Sequence, residues 1–345
     1  MKRMSRDERQ WTAALAALFL LVLAAWFTGC SQSATHKAGE SAPISVRFPI
    51  PIIEAGQTPF YVAQDNGYYG DEHLAVSFQM GSRELNPVKT VATGQDMFGV
   101  LGGPDTLLVA RSVGQPLKAV AILQRNSNFS CLITLKSSGI TTLSQLQGKR
   151  IGFNYAHIST DVLHALLRRN GIRYQEVDVG FDYNQLIAGK IDAEWAFTVT
   201  AGLDLPAKGI EINVISPADY GIVTQGYTIF AADSTLQQQP DVVLRFLRAT
   251  LRGVKFAVEN PEAANQTLLK RDPGLNAALS LKRLRDYDAV TSDSEQYPPG
   301  YMDHEMFQDT YNRLAEEHVI HESFDPKDAY TTQILGEIYP GAFPQ

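Results

Sequence analysis

Cysteine is nearly missing from this chain of 345 residues: only Cys30 and Cys131 occur. Two thiols exclude a disulfide framework, and neither a CxxC nor a zinc-type spacing is present. Positive charge is in deficit as well, with 30 Lys and Arg against 37 Asp and Glu for a net −7. Such a balance does not suit a phosphate backbone, so nucleic acid is not an expected partner. Histidine is scarce; His304, His318 and His321 fall near the C-terminus, and two His three residues apart with no third ligand seldom hold a metal. There is no GxSxG elbow, no GxxxxGKS/T loop and no HExxH helix, which removes the usual signatures of nucleophilic, nucleotide-dependent and zinc-dependent hydrolysis. No metal, no cofactor and no catalytic role are expected.

Long apolar runs are absent too, with one exception at the front. Lys2, Arg3, Arg6 and Arg9 precede Trp11 to Phe27, a stretch without a charge and rich in Ala and Leu. A basic n-region followed by an apolar h-region reads as a secretory leader, and the run is short for a membrane span. It ends in Phe27-Thr28-Gly29-Cys30. Small residues directly before a cysteine resemble the bacterial lipobox, with Phe27 in place of the usual Leu. Residues 1–29 are therefore expected to be a lipoprotein signal peptide, with Cys30 the lipidated residue. Residues 30–42 are small and polar and suit a flexible tether from a membrane surface. Without the leader the balance is 26 basic against 35 acidic residues, a net −9.

What remains has ordinary globular composition, 44% hydrophobic and 19% charged, with length enough for two cores. Strand-like runs at Ile44 to Ile53, Leu74 to Met80, Met97 to Leu101 and Lys118 to Leu123 alternate with helical stretches starting near Pro59, Glu84 and Pro104. A second alternating series follows: Phe129 to Leu135, Lys149 to Phe153, Tyr174 to Val179, Lys190 to Phe197 and Ile210 to Ile215. Strands alternating with helices predict α/β units around mainly parallel sheets, with ligands beyond the carboxyl ends of the strands. Pro240 to Val258 has a clean helical period and reads as a long amphipathic packing helix. The residues beyond it read as a helical packing layer.

Three places qualify as binding mouths. Gln57 to Phe60 leads into a helix that starts at Pro59 and is capped by Gly67, placing Phe60 and Tyr61 at its start, either as core or as a ligand wall. Gly102-Gly103-Pro104-Asp105 permits close backbone approach before another helix. Asn154 to Asp161 contains Tyr155, His157 and the natural N-cap Ser159. His157 suits a ligand contact or a solvated loop equally. A fourth cluster, Glu194, Trp195 and Phe197, stands at the end of a predicted strand. A carboxylate beside two aromatic rings accepts hydrogen bonds from an amino-bearing flat ring while the rings sandwich it.

The blocks Pro59-Phe60-Tyr61-Val62-Ala63-Gln64-Asp65-Asn66-Gly67-Tyr68-Tyr69, Ala110 to Pro116, Lys136 to Ile140, Leu143 to Gly152 and Gly189 to Ala193, behind a lipobox, resemble the SsuA/THI5-like family of periplasmic solute-binding proteins. That family includes binders of thiamine-precursor pyrimidines, sulfonates and nitrate. The resemblance spans most of residues 44–258 and implies a type II periplasmic-binding-protein fold, two α/β lobes joined by two crossing segments. Lobe 1 is then residues 43–125 plus 227–345 and lobe 2 residues 126–226, with Asn126 and Tyr227 at the crossings. It further implies a small-molecule ligand taken up by cleft closure and delivered by a monomer to an ABC permease and its ATPase. A flat aminopyrimidine suits Phe60, Tyr155, Glu194 and Trp195, whereas Asp105, Asp161 and Glu194 oppose an anion; riboflavin is the bulkier alternative. A related pyrimidine-precursor synthase shares the fold but carries a cysteine-rich signature that is missing here.

Overall fold

The computed structural model describes residues 44–50, 52–82, 84–154, 160–180, 182–291 and 297–343. Cys30 and the leader, the tether, and the mouth residues Tyr155, His157 and Ser159 lie outside the described residues.

Among the described residues, ten strands form two mixed sheets. β1 (Ile44–Arg47), β2 (Val76–Gln79), β3 (Phe98–Leu101), β4 (Leu117–Ile122) and β10 (Thr228–Ala232) align as β2-β1-β3-β10-β4. β5 (Ser130–Leu135), β6 (Arg150–Phe153), β7 (Gln175–Asp178), β8 (Ala193–Phe197) and β9 (Ile212–Ile215) align as β7-β6-β8-β5-β9. Both sheets follow one plan. β1 runs parallel to β2 and β3, as β6 does to β7 and β8. One antiparallel strand is inserted in each: β10 between β3 and β4, and β5 between β8 and β9. The inserted strand in each case has just arrived from the other sheet, so the two halves are linked by chain passing twice, through residues 123–129 and 216–227.

The helices that position the site are α1 (Thr58–Asp65), α2 (Asp105–Ser112), α3 (Asp161–Arg169), α4 (Ala201–Ala207), α5 (Pro240–Glu259), α6 (Ala277–Thr291) and α7 (His304–Glu316). α5 is the long packing helix that the spacing predicts, and it buries Val243, Phe246, Leu247, Leu251 and Val254. Burying each such side chain contributes roughly 1.5–3 kcal/mol. Phe246 stacks on Phe98 at 4.1 Å between ring centroids and on Tyr69 at 5.8 Å. Where α5 crosses α1, a Cβ on Gly253 would stand 2.1 Å from the Pro59 carbonyl oxygen, so only glycine allows the approach.

The first strand is shorter than its apolar run suggests. β1 stops at Arg47, because Pro49 and Pro51 supply no N–H to a ladder. Phe48 to Ile50 and Ile52 to Glu54 are therefore outside the strand, and Glu54 stands half-buried ahead of α1.

The second sheet is covered on both faces by separate cores. Leu132, Phe153, Leu163, Leu166 and Trp195 pack on one face; Cys131, Ile133, Val179, Leu186, Ala196 and Leu205 pack on the other. Cys131 is a small buried hydrophobe, as expected, with burial pushing its thiol up to about 12.

Candidate functional site

Strand direction places the mouths. Thr228 of β10 pairs with Leu101 and Ile122, so the ends of β3 and β4 share one edge with Tyr227. In the second sheet Ser130 pairs with Phe197, so the start of β5 lies beside the end of β8. The two linking segments join these two edges, which are the carboxyl ends of the parallel strands, where α/β sheets bind ligands. The segments are hydrogen-bonded to each other: Ser127 N–H to the Thr224 carbonyl (2.9 Å), Thr224 N–H to Asn128 Oδ1 (2.9 Å) and Gly226 N–H to the Gln124 carbonyl (2.8 Å).

At this edge a half-buried glutamate, Glu54, lies among rings. Glu54 Oε2 accepts from the Tyr287 hydroxyl on α6 at 3.0 Å, while Oε1 is shut off from solvent and has no hydrogen bond of good geometry. Phe129 meets the Tyr287 ring edge-on at 4.9 Å, and Tyr227 tilts against it at 6.2 Å. Tyr227 in turn lies flat on Gly56: a Cβ there would come within 2.1 Å of its ring, so this glycine makes room for the aromatic wall. The neighbouring Thr58, fully buried at the start of α1, also leaves its Oγ1 without a partner. Burial lifts the Glu54 carboxyl to about 7, against hydrogen bonds from the Tyr287 hydroxyl and Gly56 N–H and the positive charge of Arg283. An acid poised near neutrality, set among rings at this edge, is suited to a flat partner that donates a further hydrogen bond.

The glycine-pair mouth lies on the same edge and faces α3. Asp105, first residue of α2, is paired with the buried Arg313 of α7 at 2.7 Å. Asp161 opens α3, and burial together with the charge of Asp105 raises it to about 6. Two helix N-termini that would otherwise attract an anion thus carry the protein's own carboxylates, and Arg313 beside them is already paired with Asp105.

The structure disperses much of what sequence spacing groups together. Phe60 is fully buried in the core of the first half, 5.2 Å from Phe48 and 6.2 Å from Phe78. Tyr61 is buried as well; its hydroxyl donates to Gln57 Oε1 at 2.9 Å and the Arg271 guanidinium covers its ring at 4.2 Å. Both are packing residues, with the polar start of α1 held instead by Gln57 and Thr58.

Glu194 and Trp195 do not share a face. Successive strand residues point to opposite sides of a sheet, so Trp195 and Phe197 go to one core, 5.1 Å apart, and Glu194 goes to the other with Ala196. Trp195 is 5% exposed and donates its indole N–H to Ser130 Oγ at 3.2 Å. The expected sandwich of one acid between two rings is therefore not built here. Glu194 Oε2 is buried without a partner, and burial followed by the charge of Asp182 raises its carboxyl to about 8. Asn126 is half-buried in the first linking segment, and Gly102 is exposed beside the second mouth. Tyr227 is the one predicted residue that joins the Glu54 cluster. Spacing overlooked Glu54, Phe129, Arg283 and Tyr287; the available hint was a lone acid closing an apolar run just ahead of a helix. Among the described residues, no group of three or more His, Cys, Asp or Glu stands close enough to hold a metal.

Two α/β sheets of identical plan joined by two linking segments, with a polar and aromatic cluster where they meet, define the periplasmic-binding-protein fold. The alkanesulfonate-binding protein SsuA of Xanthomonas axonopodis pv. citri has this fold: it superposes with a TM-score of 0.66 over 85% of this chain and 99% of its own, at 13% identity. The chain belongs to the NMT1/THI5-like family, whose model matches residues 54–264. It is 27% identical over 231 residues to the formylaminopyrimidine-binding protein of Halalkalibacterium halodurans, covering 65% of this chain and 69% of that protein. It is 26% identical over 300 residues to the riboflavin-binding protein RibY of Chloroflexus aurantiacus, covering 83% and 84%. The 4-amino-5-hydroxymethyl-2-methylpyrimidine phosphate synthase of Legionella pneumophila is also similar, 28% identical over 65% of this chain and 72% of that protein.

Proposed function

We propose that this protein is the extracytoplasmic solute-binding component of an ABC importer, capturing a small, flat nitrogen heterocycle between its two halves. The observation that carries this reading is Glu54, a carboxylate held by the Tyr287 hydroxyl and enclosed beside Gly56 and Tyr227, with Phe129 packed on Tyr287, where the linking segments meet. An amino group or ring N–H on a heterocycle supplies a further donor, and the aromatic walls supply apolar contact. Relatives named as binders of a formylaminopyrimidine and of riboflavin support the ligand class.

Residues 43–125 with 227–345 form one lobe and 126–226 the other, closing about the linking segments. Lipidation at Cys30 and the tether over residues 30–42 hold the protein at the membrane as a monomer, where it presents its ligand to a permease and ATPase. The charge at the second mouth favours a neutral or cationic ligand over a sulfonate: Asp105 and Asp161 occupy both helix starts.

A thermal-shift and calorimetric screen of aminopyrimidines, riboflavin and alkanesulfonates tests the proposal. Stabilisation by a nitrogen heterocycle that is lost in Glu54→Gln is the expected result; a response to sulfonates alone would overturn it. Relatives named as synthases supply a second reading, an enzyme acting on a pyrimidine precursor. Recovery of the bound heterocycle unchanged after prolonged incubation excludes that reading, and its conversion to product would establish it.

A further inference from the structure

Helix α6 touches both halves of the molecule from one face. Tyr287 holds Glu54 in the first half. Four residues earlier, one turn along the same face, Arg283 reaches the second half: its Nε donates to the Val199 carbonyl at 2.7 Å and its Nη2 to Asp204 Oδ1 of α4 at 2.7 Å. Val199 lies two residues past the end of β8, and the residue between, Thr198, donates its N–H to the Phe129 carbonyl at 2.8 Å. The Arg283 fork is thus spent on the segment that also backs the aromatic wall.

The opposite flank of the molecule is joined differently. There Arg168 and Arg169 of α3 pair with Glu317 and Glu316 at the end of α7, the second pair at 2.5 Å. The Arg169–Glu316 pair is exposed on both sides and contributes little, and Arg168 is exposed although Glu317 is buried beneath it. The Arg283 side chain is 15% exposed and bonds a backbone carbonyl as well as a carboxylate, a geometry a lysine does not reproduce. A rigid helix that binds the candidate ligand carboxylate on one turn and the facing half on the next links the two events physically.

We propose that Arg283 is a positioning residue for ligand capture: it latches the two halves through Val199 and Asp204 and so sets how slowly a ligand held at Glu54 escapes. The proposal rests on the reading of Glu54 as a ligand contact. The Arg283 nitrogens are committed to Val199 and Asp204, so its effect is expected on release more than on ring selectivity.

The test compares wild type, Arg283→Ala, Arg283→Lys, Asp204→Asn and Glu54→Gln, using the heterocycle that stabilises wild type in the thermal screen. Stopped-flow binding is expected to show dissociation at least tenfold faster in Arg283→Ala, with association within about threefold of wild type and the order of preference among heterocycles unchanged. Arg283→Lys and Asp204→Asn, milder changes that keep the fold, shift dissociation in the same direction by less. Small-angle scattering of the ligand-free proteins reads the latch without a ligand: Arg283→Ala is expected to be the more extended. Unchanged dissociation and unchanged scattering in Arg283→Ala would overturn the latch. More extended scattering in Arg283→Ala, with full affinity retained in Glu54→Gln, would support the latch and overturn the role of Glu54.

Discussion

Glu54 and Glu194 are both acids held far above the usual carboxylate range, yet their surroundings give them opposite meanings. Glu54 comes from a loop, is bonded by a tyrosine 233 positions away and lies at the edge where both linking segments pass. Glu194 sits within β8, on the face that Cys131, Ile133 and Ala196 line, with Asp182 adding repulsion and no hydrogen bond at its Oε2. The first is held by a built network, a tyrosine hydroxyl and the backbone of Gly56, that fixes where it points. The second is an acid kept neutral by an apolar face, a cost to the fold with no network to direct a ligand. A raised carboxyl alone therefore does not mark a site; the partners that aim it do.

The largest effect that separates these regions is one of folding. Trp195 shares β8 with Glu194 but fills the opposite core, so Trp195→Ala is expected to lose about 3–5 kcal/mol of stability by denaturant titration. The sequence pattern suggested a ligand wall, for which truncation leaves folding intact; a stable Trp195→Ala protein with binding abolished would restore that reading. Next in size is binding at Glu54. Glu54→Gln keeps the shape but removes the ionised acceptor and is expected to weaken affinity for the heterocycle by about 10- to 100-fold, the equivalent of one charge-assisted hydrogen bond. Glu194→Gln is expected to stay within about threefold by the same calorimetry. Equal losses in the two variants would erase the distinction. Acidification gives a further handle: with its carboxyl near 7, Glu54 loses charge as pH falls below that value. Affinity for a donor ring then weakens by up to about tenfold per pH unit in wild type, and Glu54→Gln stays flat.

Much of the fold was legible because alternating strands and helices leave a strong periodic trace, and nearly every apolar run became the strand expected of it. The run from Ile44 was overextended because its apolar character hid two prolines that end a ladder. The site was less legible for two physical reasons. Period-two alternation separates neighbours such as Glu194 and Trp195, so adjacency in sequence misleads on a strand. The Glu54 cluster draws on a loop, a linking segment and α6, and only tertiary packing unites residues so far apart; Tyr227 was found because it follows the expected crossing. Tyr155, His157 and Ser159 lie outside the described residues, and their part in the cleft stays a proposal.

The smallest expected effect is also the cleanest test of what Glu194 is for. Its carboxyl titrates near 8 when folded against a usual value of 4.5, so between those limits the folded protein holds a proton that the unfolded chain has released. Stability must then fall as pH rises through that window, since unfolding is favoured wherever the folded state binds the extra proton. Glu194→Gln removes the titration. Its advantage over wild type is expected to be small at pH 5 and to grow to at least about 1–2 kcal/mol by pH 8. Glu54→Gln gives up the Tyr287 hydrogen bond to a carboxylate, which offsets the same gain, so its stability curve should rise less. Parallel melting curves for wild type and Glu194→Gln from pH 5 to pH 8 would show that Glu194 stays ionised through a ligand or contact at its free oxygen, and would return it to the list of site residues.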